Sequence, residues 1–282
     1  MSARGRAFWK MSGSGNDFVF FDARANSGGV ADPLENTADI AAICATHLGI
    51  GADGVVFIAE SADSLFTIRY YNADGSRATL CGNASLCAAQ SAVKLGLAVC
   101  EQMFHFMSDS GRIDASAGSS GSATVRLAPV TALEFAAAEI LTPPEIRAGY
   151  AVVGVPHLVV LVADVAAIDV AGRGRMLRYG AARAPAGANV NFVSGDAASA
   201  TWKIRTYERG VEAETYACGT GAVAAAACLI AWNLASAGAQ VGLLTASGQT
   251  LRVRLPDGSD GTWSELSGEG RVVFDGELQA LR

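Results

Sequence analysis

The chain reads as an α+β protein made of two similar halves, and three observations carry that expectation. First, a short pattern recurs at a nearly fixed distance. Ile68-Arg69-Tyr70-Tyr71-Asn72 resembles Ile204-Arg205-Thr206-Tyr207-Glu208 at 136 residues, Cys81 and Cys218 stand 137 apart, and Gly15 and Gly154 stand 139 apart. Each spacing is close to half of the 282 residues, as an internal duplication requires. Second, each half holds a thiol followed by glycine and a long apolar run, at Cys81-Gly82-Asn83 before Ala84 to Leu97 and at Cys218-Gly219-Thr220-Gly221 before Ala222 to Trp232. Small residues and glycines at the head of such a run predict a helix start. Third, short β-branched and aromatic segments separated by turn residues fill the remainder.

Taken in order, Lys10 to Ala23 reads as a Gly-rich turn running into an apolar strand, with Asn16 and Asp17 at the turn. Considered alone, these two residues fit turn caps bonded to the backbone as well as they fit a ligand site. Thr37 to Leu48 has helical periodicity and ends at Gly49. Gly49-Ile50-Gly51-Ala52-Asp53-Gly54 matches the dinucleotide pattern letter for letter, but that motif needs a strand before it and a helix after it. Here the order is reversed, so the segment reads as a helix C-cap and tight loop. Strands are predicted at Val55 to Ala59, Ser64 to Tyr71, Gln102 to Ser108, Arg112 to Ala117 and Thr124 to Ala128. Thr142-Pro143-Pro144 reads as a crossing between domains, and Ala151 to Val165 as a strand broken at Gly154-Val155-Pro156-His157. Val165 to Leu177 is expected to be helical. Asn189 to Ser194, Thr201 to Tyr207, Val241 to Ala246, Thr250 to Leu255 and Arg271 to Phe274 complete a strand-rich second half.

Composition narrows the function classes. An apolar fraction of 51% supplies ample core, and a net charge of −6 without a basic stripe argues against a nucleic-acid partner. The longest apolar run, Ala222 to Trp232, is too short to span a membrane. Met1 to Lys10 lacks the apolar segment of a secretory signal. Six cysteines without framework spacing suit a reducing cytoplasm. Cys44, Cys87, Cys100 and Cys228 lie inside apolar stretches and read as core.

Cys81 and Cys218 break that pattern. A thiol at a helix N-terminus sits beside unpaired N–H groups and the positive end of the helix dipole, which hold an anion and favour thiolate. Neither has the C-x-x-C partner or nearby histidine of a zinc set, so no metal is expected. Two such thiols suit proton removal and return at one carbon, provided the halves face one another. An amino-acid Cα–H is a very weak acid, and its removal needs fixed donors where carboxylate charge develops. Losing one such donor costs about 3–4 kcal/mol. No metal or pyridoxal phosphate is required, and no cofactor is expected.

Eight segments, in order, are similar to those of the diaminopimelate epimerase family: G-S-G-N-D-F at 13–18, G-I-G-A-D-G at 49–54, N-A-D-G-S at 72–76, C-G-N at 81–83, P-H at 156–157, N-V-N-F at 189–192, E-R-G at 208–210 and A-C-G-T-G-A at 217–222. The resemblance implies two pseudo-symmetric domains, each a mixed or antiparallel sheet wrapped around a central helix. The expected division places residues 1–129 with Cys81, completed by 270–282, in one half, and 130–269 with Cys218 in the other. It implies a cofactor-independent epimerase that interconverts LL- and meso-diaminopimelate in the lysine and peptidoglycan precursor pathway. Cys81 and Cys218 resemble the catalytic pair, and the backbone of Gly82, Asn83, Gly219 and Thr220 resembles the cradle for the α-carboxylate. Asn16, Asn72, Asn189, Glu208 and Arg209 resemble substrate-binding positions, and His157 the family histidine near the reacting centre. A homodimer is compatible with the resemblance.

The chain departs from the family pattern at Ala84 and Leu86, where glycine and arginine are usual, and at Val155, where asparagine is usual. One extra residue falls within Val211 to Glu214. Two readings therefore stand beside the first: a racemase of the same mechanism for another amino acid, and a non-catalytic amino-acid-binding paralogue. An isomerase of the phenazine-biosynthesis kind would lack the two thiols, and a thiol redox protein would be expected to carry C-x-x-C.

Overall fold

A computed structural model of the chain describes residues 5–26, 30–79, 81–135, 141–180, 186–196, 201–256, 263–279 and 281. The chain forms two compact units, Met1–Val125 with Gly268–Arg282, and Arg126–Ser267.

The first unit opens with the hairpin β1 (Arg6–Gly13) and β2 (Asn16–Asp22), followed by helix α1 (Thr37–Cys44) and strands β3 (Gly54–Ala59), β4 (Thr67–Asn72) and β5 (Arg77–Ala78). Helix α2 (Gly82–Lys94) then precedes the meander β6 (Phe104–Ser108), β7 (Gly111–Ala117) and β8 (Ser122–Leu127). The second unit repeats that order. It runs through β9 (Ala132–Phe135), β10 (Glu145–Val153), β11 (Val155–Val162), α3 (Val170–Arg178), β12 (Asn189–Asp196), β13 (Thr201–Glu208) and β14 (Ala213–Thr215). Helix α4 (Gly219–Ala231), β15 (Gln240–Leu244), β16 (Thr250–Arg254) and β17 (Ser264–Glu269) follow, and β18 (Arg271–Leu278) returns to the first unit.

The pairings repeat as well. In the first unit β18–β1 and β1–β2 are antiparallel, β2–β3 parallel, β3–β4 and β4–β5 antiparallel, and β4–β6 parallel. In the second, β9–β10 and β10–β11 are antiparallel, β11–β12 parallel, β12–β13 and β13–β14 antiparallel, and β13–β15 parallel. Each parallel pair needs a crossover, and α1, α2, α3 and α4 supply them. The expected mixed sheet around a central helix is present in both units.

Small residues let the strands approach each central helix. Ala84, Ala88, Ala89 and Ala92 of α2 and Ala222, Ala224, Ala225 and Ala226 of α4 have no exposed surface. Helix α2 packs on β1, β7 and β18, and α4 on β10, β11, β12 and β16. Where a strand crosses the helix it carries glycine: a Cβ on Gly13 would lie 2.9 Å from Cys87 Sγ, and one on Gly149 2.8 Å from Cys228 Sγ. A second layer in each unit packs α1 against Phe21, Val55 and Phe57, and α3 against Val160, Val190 and Tyr207.

Several boundaries differ from expectation, each for a local reason. Strand β1 precedes the anticipated strand, because Lys10, buried in its middle, is neutralised by Asp17 at 2.6 Å. Helix α1 starts with Asn36 accepting from Asp39 N and stops at Cys44, four residues early. The carbonyls of its last turn are taken by the glycine loop, through Gly49 N to Ala45 O and both Ile50 N and Gly51 N to Ile43 O. Strand β3 follows that loop, as the rejection of the dinucleotide reading required. Thr142-Pro143-Pro144 lies inside the second unit and crosses nothing. The helix expected from Val165 is a short 3-10 turn at Val165–Ala167 followed by α3. Strands β5, β9, β14 and β17 were too short or too polar to stand out. Cys100, expected in the core, is only half-buried in the turn after α2.

Candidate active site

Each unit places one of the two expected thiols, with the first-turn residues that follow it, at the start of its central helix. Cys81 is the N-cap of α2, with φ −136° and ψ 116°, and Cys218 the N-cap of α4, with φ −133° and ψ 112°. The backbone at the two thiols is therefore the same, and neither side chain caps its helix. The helix closes behind each, through Ser85 N to Cys81 O at 3.0 Å and Ala222 N to Cys218 O at 2.9 Å. The first-turn N–H groups of Gly82, Asn83, Gly219 and Thr220 have no carbonyl to meet within an α-helix, which is the condition for binding an anion. Both thiols are half-buried, whereas Cys44, Cys87 and Cys228 are buried. Burial pushes the Cys44 and Cys228 thiols up to about 12 and the Cys87 thiol well above its ordinary value.

In the first unit a chain of polar contacts fixes α2's first turn. Asn83 Nδ2 donates to Asn16 Oδ1 at 2.6 Å, and Asn16 Nδ2 donates to Asp53 Oδ2 at 2.9 Å. Asp53 and Asp17 exchange bonds through their backbone N–H groups, at 3.0 and 3.2 Å, and Lys10 reaches both Asp17 and the Gly51 carbonyl. Asn16 and Asn83 thus come together, while Asn72 is held by Ser76, its Nδ2 donating to Ser76 Oγ at 3.0 Å. Asp53 is a residue that the sequence placed only in a loop. Its position in G-A-D-G, beside the strand that pairs with Asn72, was the available signal.

In the second unit His157 and Asn189 sit opposite each other on β11 and β12. Asn189 Oδ1 accepts from Arg209 N at 2.7 Å, and Glu208 Oε2 accepts from Thr215 Oγ1 at 2.9 Å, so the β13–β14 turn is tied to the head of β12. Cys218 Sγ lies 3.6 Å from Thr220 Oγ1. His157 is fully buried. Desolvation, then the Arg209 cation, holds its imidazolium down to a pKa of about 3, so the ring is neutral at neutral pH. Asn191 was not singled out by the sequence beyond its place in N-V-N-F. It is buried, with Nδ2 3.2 Å from His157 Nδ1 and Oδ1 accepting from Thr206 Oγ1 at 3.0 Å. Val155 is half-buried beside Gly154, whose φ of 69° makes the β10–β11 turn. Among the described residues, no cluster of three His, Cys, Asp or Glu side chains has a metal-holding arrangement.

The two-unit α+β fold is one already seen in solved structures. A phenazine biosynthesis protein of the PhzF family from Bacillus anthracis superposes with a TM-score of 0.72 at 14% identity, over 98% of this chain and 99% of that one. The chain belongs to the diaminopimelate epimerase family. The family's sequence profile matches residues 8–133 and 149–263. A diaminopimelate epimerase from Gemmatimonas aurantiaca is 44% identical over 98% of this chain and 100% of its own length. One from Aquifex aeolicus is 36% identical over 96% and 97%. The chain is thus an isomerase, and no helix among the described residues is long and apolar enough to cross a membrane.

Proposed function

We propose that this protein interconverts LL- and meso-diaminopimelate by proton transfer at Cα, with Cys81 and Cys218 as the two bases. The observation that carries the reading is the pair of equivalent helix starts, each with a half-buried thiol at the N-cap and first-turn N–H groups behind it. Family membership supplies the substrate. One thiolate takes the Cα proton and becomes a thiol, the electron pair is held as the carboxylate-derived dianion, and the other thiol returns a proton and becomes the thiolate. The enzyme ends each turnover with its protonation reversed.

Asn16, Asn72, Gly82 and Asn83 of the first unit, with His157, Asn189, Glu208, Arg209, Gly219 and Thr220 of the second, are proposed to bind and orient the substrate. The half-buried Val155 offers a distal group no amide, so its recognition falls to neighbouring polar groups. The net charge of −6 fits a small zwitterionic partner better than nucleic acid, and six cysteines without framework spacing support a proposed cytoplasmic setting.

The test is solvent-deuterium incorporation at Cα. Reduced protein in D₂O with LL-diaminopimelate should invert and label the substrate, and Cys81→Ser and Cys218→Ser should each lower inversion by about 10²- to 10⁴-fold. Exchange confined to another amino acid would replace the substrate and keep the mechanism. Absence of exchange with any amino acid would overturn the reading.

A further inference from the structure

The second unit holds a buried polar chain that the proton transfer itself does not use. Asn191 lies on β12 with no exposed surface, between the ring of His157, the hydroxyl of Thr206 and the first turn of α4. Its amide can be oriented without ambiguity. Asn191 Nδ2 is 3.3 Å from the Leu158 carbonyl, which can only accept, so the NH₂ group must face that way. The same NH₂ group faces His157 Nδ1 at 3.2 Å. Nδ1 therefore supplies the lone pair, and the proton of the neutral ring sits on Nε2. Thr206 completes the arrangement by donating to Asn191 Oδ1, which leaves the amide no reason to turn over.

His157 Nε2 is buried and has no hydrogen-bond partner among the described residues. A buried donor left unsatisfied carries its full desolvation penalty, so this atom points to an acceptor that arrives with the reaction. We infer that Asn191 is a positioning residue that locks His157 as the Nε2–H tautomer, so that the ring serves the reaction as a neutral hydrogen-bond donor toward an anion and not as a base. The inference rests on the epimerase reading for what the donor meets, a carboxylate or a thiolate, but not for the tautomer. Desolvation and Arg209 act in the same direction, since both disfavour the imidazolium.

The chain has three histidines, so imidazole ¹⁵N signals separate readily in long-range ¹H–¹⁵N spectra. At neutral pH the buried ring should show the Nε2–H pattern in the unmodified protein. Asn191→Asp replaces the donating N–H with a group that only accepts, and should move the proton to Nδ1. It should lower kcat for epimerisation about 10- to 100-fold with KM changed less than threefold. If the acceptor is a thiolate, Cys218→Ser should shift the Nε2–H proton without substrate. If it is the substrate carboxylate, the shift should come only on adding diaminopimelate. An Nδ1–H pattern in the unmodified protein, which needs no variant to fold, would overturn the inference. So would an Asn191→Asp protein that keeps the Nε2–H pattern. A chain that shows the Nε2–H pattern yet exchanges no Cα proton would lose its proposed function and keep the lock.

Discussion

Gly221 shows how much the site depends on a side chain that is not there. A Cβ at this position would collide with Asn191 Oδ1 and stand 3.2 Å from Cys218 Sγ. Gly221→Ala should therefore displace the amide and the thiol together. A loss of about 1–3 kcal/mol in urea unfolding is expected, together with a larger fall in kcat than in substrate affinity. The run A-C-G-T-G-A was legible as a helix start because the pattern is local. The requirement for glycine was not, because the atom that forbids a side chain belongs to Asn191 on another strand. Burial also predicts which thiols react. Alkylation of the native protein followed by peptide mapping should label Cys81, Cys100 and Cys218, while Cys44, Cys87 and Cys228 wait for unfolding. His157 has a further consequence for stability. Its folded pKa of about 3 lies below the ordinary 6.5, so the unfolded chain takes up a proton that the folded chain refuses. The contribution is fully present above 6.5 and is lost as pH falls toward 3, by about 1.4 kcal/mol per pH unit. Unfolding free energies from pH 7 to 5 should fall more steeply in the unmodified protein than in His157→Gln.

At the scale of the element, helix α2 accounts for one departure from the family pattern, Leu86. Leu86 and Ala84 have no exposed surface in α2, so the usual arginine position is here part of an apolar interior. Leu86→Arg should restore the family letter and bury an unpaired cation, costing about 3–5 kcal/mol in thermal or urea unfolding. Recovery of a more stable protein would show that a counter-charge is within reach. Strong periodicity made α2 and α4 legible, and their alanine content announced close packing. The end of α1 was not legible, because Leu48 continues the apolar pattern while the loop at Gly49–Gly51 takes the helix's last carbonyls. The sequence pattern records which residues prefer a core. It does not record which backbone group reaches an open hydrogen bond first.

For the whole molecule, the duplication was visible in three spacings, and the strand pairings repeat step for step. What the spacings did not reveal is an exchange at the ends of the two repeats. By its place in the repeat, β9 is the closing strand of the first half, yet it pairs with β10, and β18 closes on β1. The pairing β1–β18 covers Arg6 to Ser12 and brings Leu278 into the core with Phe8 and Phe21. Deleting residues 268–282 should therefore loosen the unit that holds Cys81 and spare the one that holds Cys218. Hydrogen exchange by mass spectrometry should show protection lost at residues 6–22 and kept at 201–208.

That exchange also sets an order of assembly. Residues 126–267 form one unbroken stretch, so on the ribosome the second unit has all its parts before the last strand is translated. The first unit does not. Its β1, with Phe8 and Trp9, must hold an unpaired edge while the 257 residues between Gly13 and Arg271 are made, on the order of tens of seconds at typical elongation rates. The half that is synthesised first is the half that is finished last.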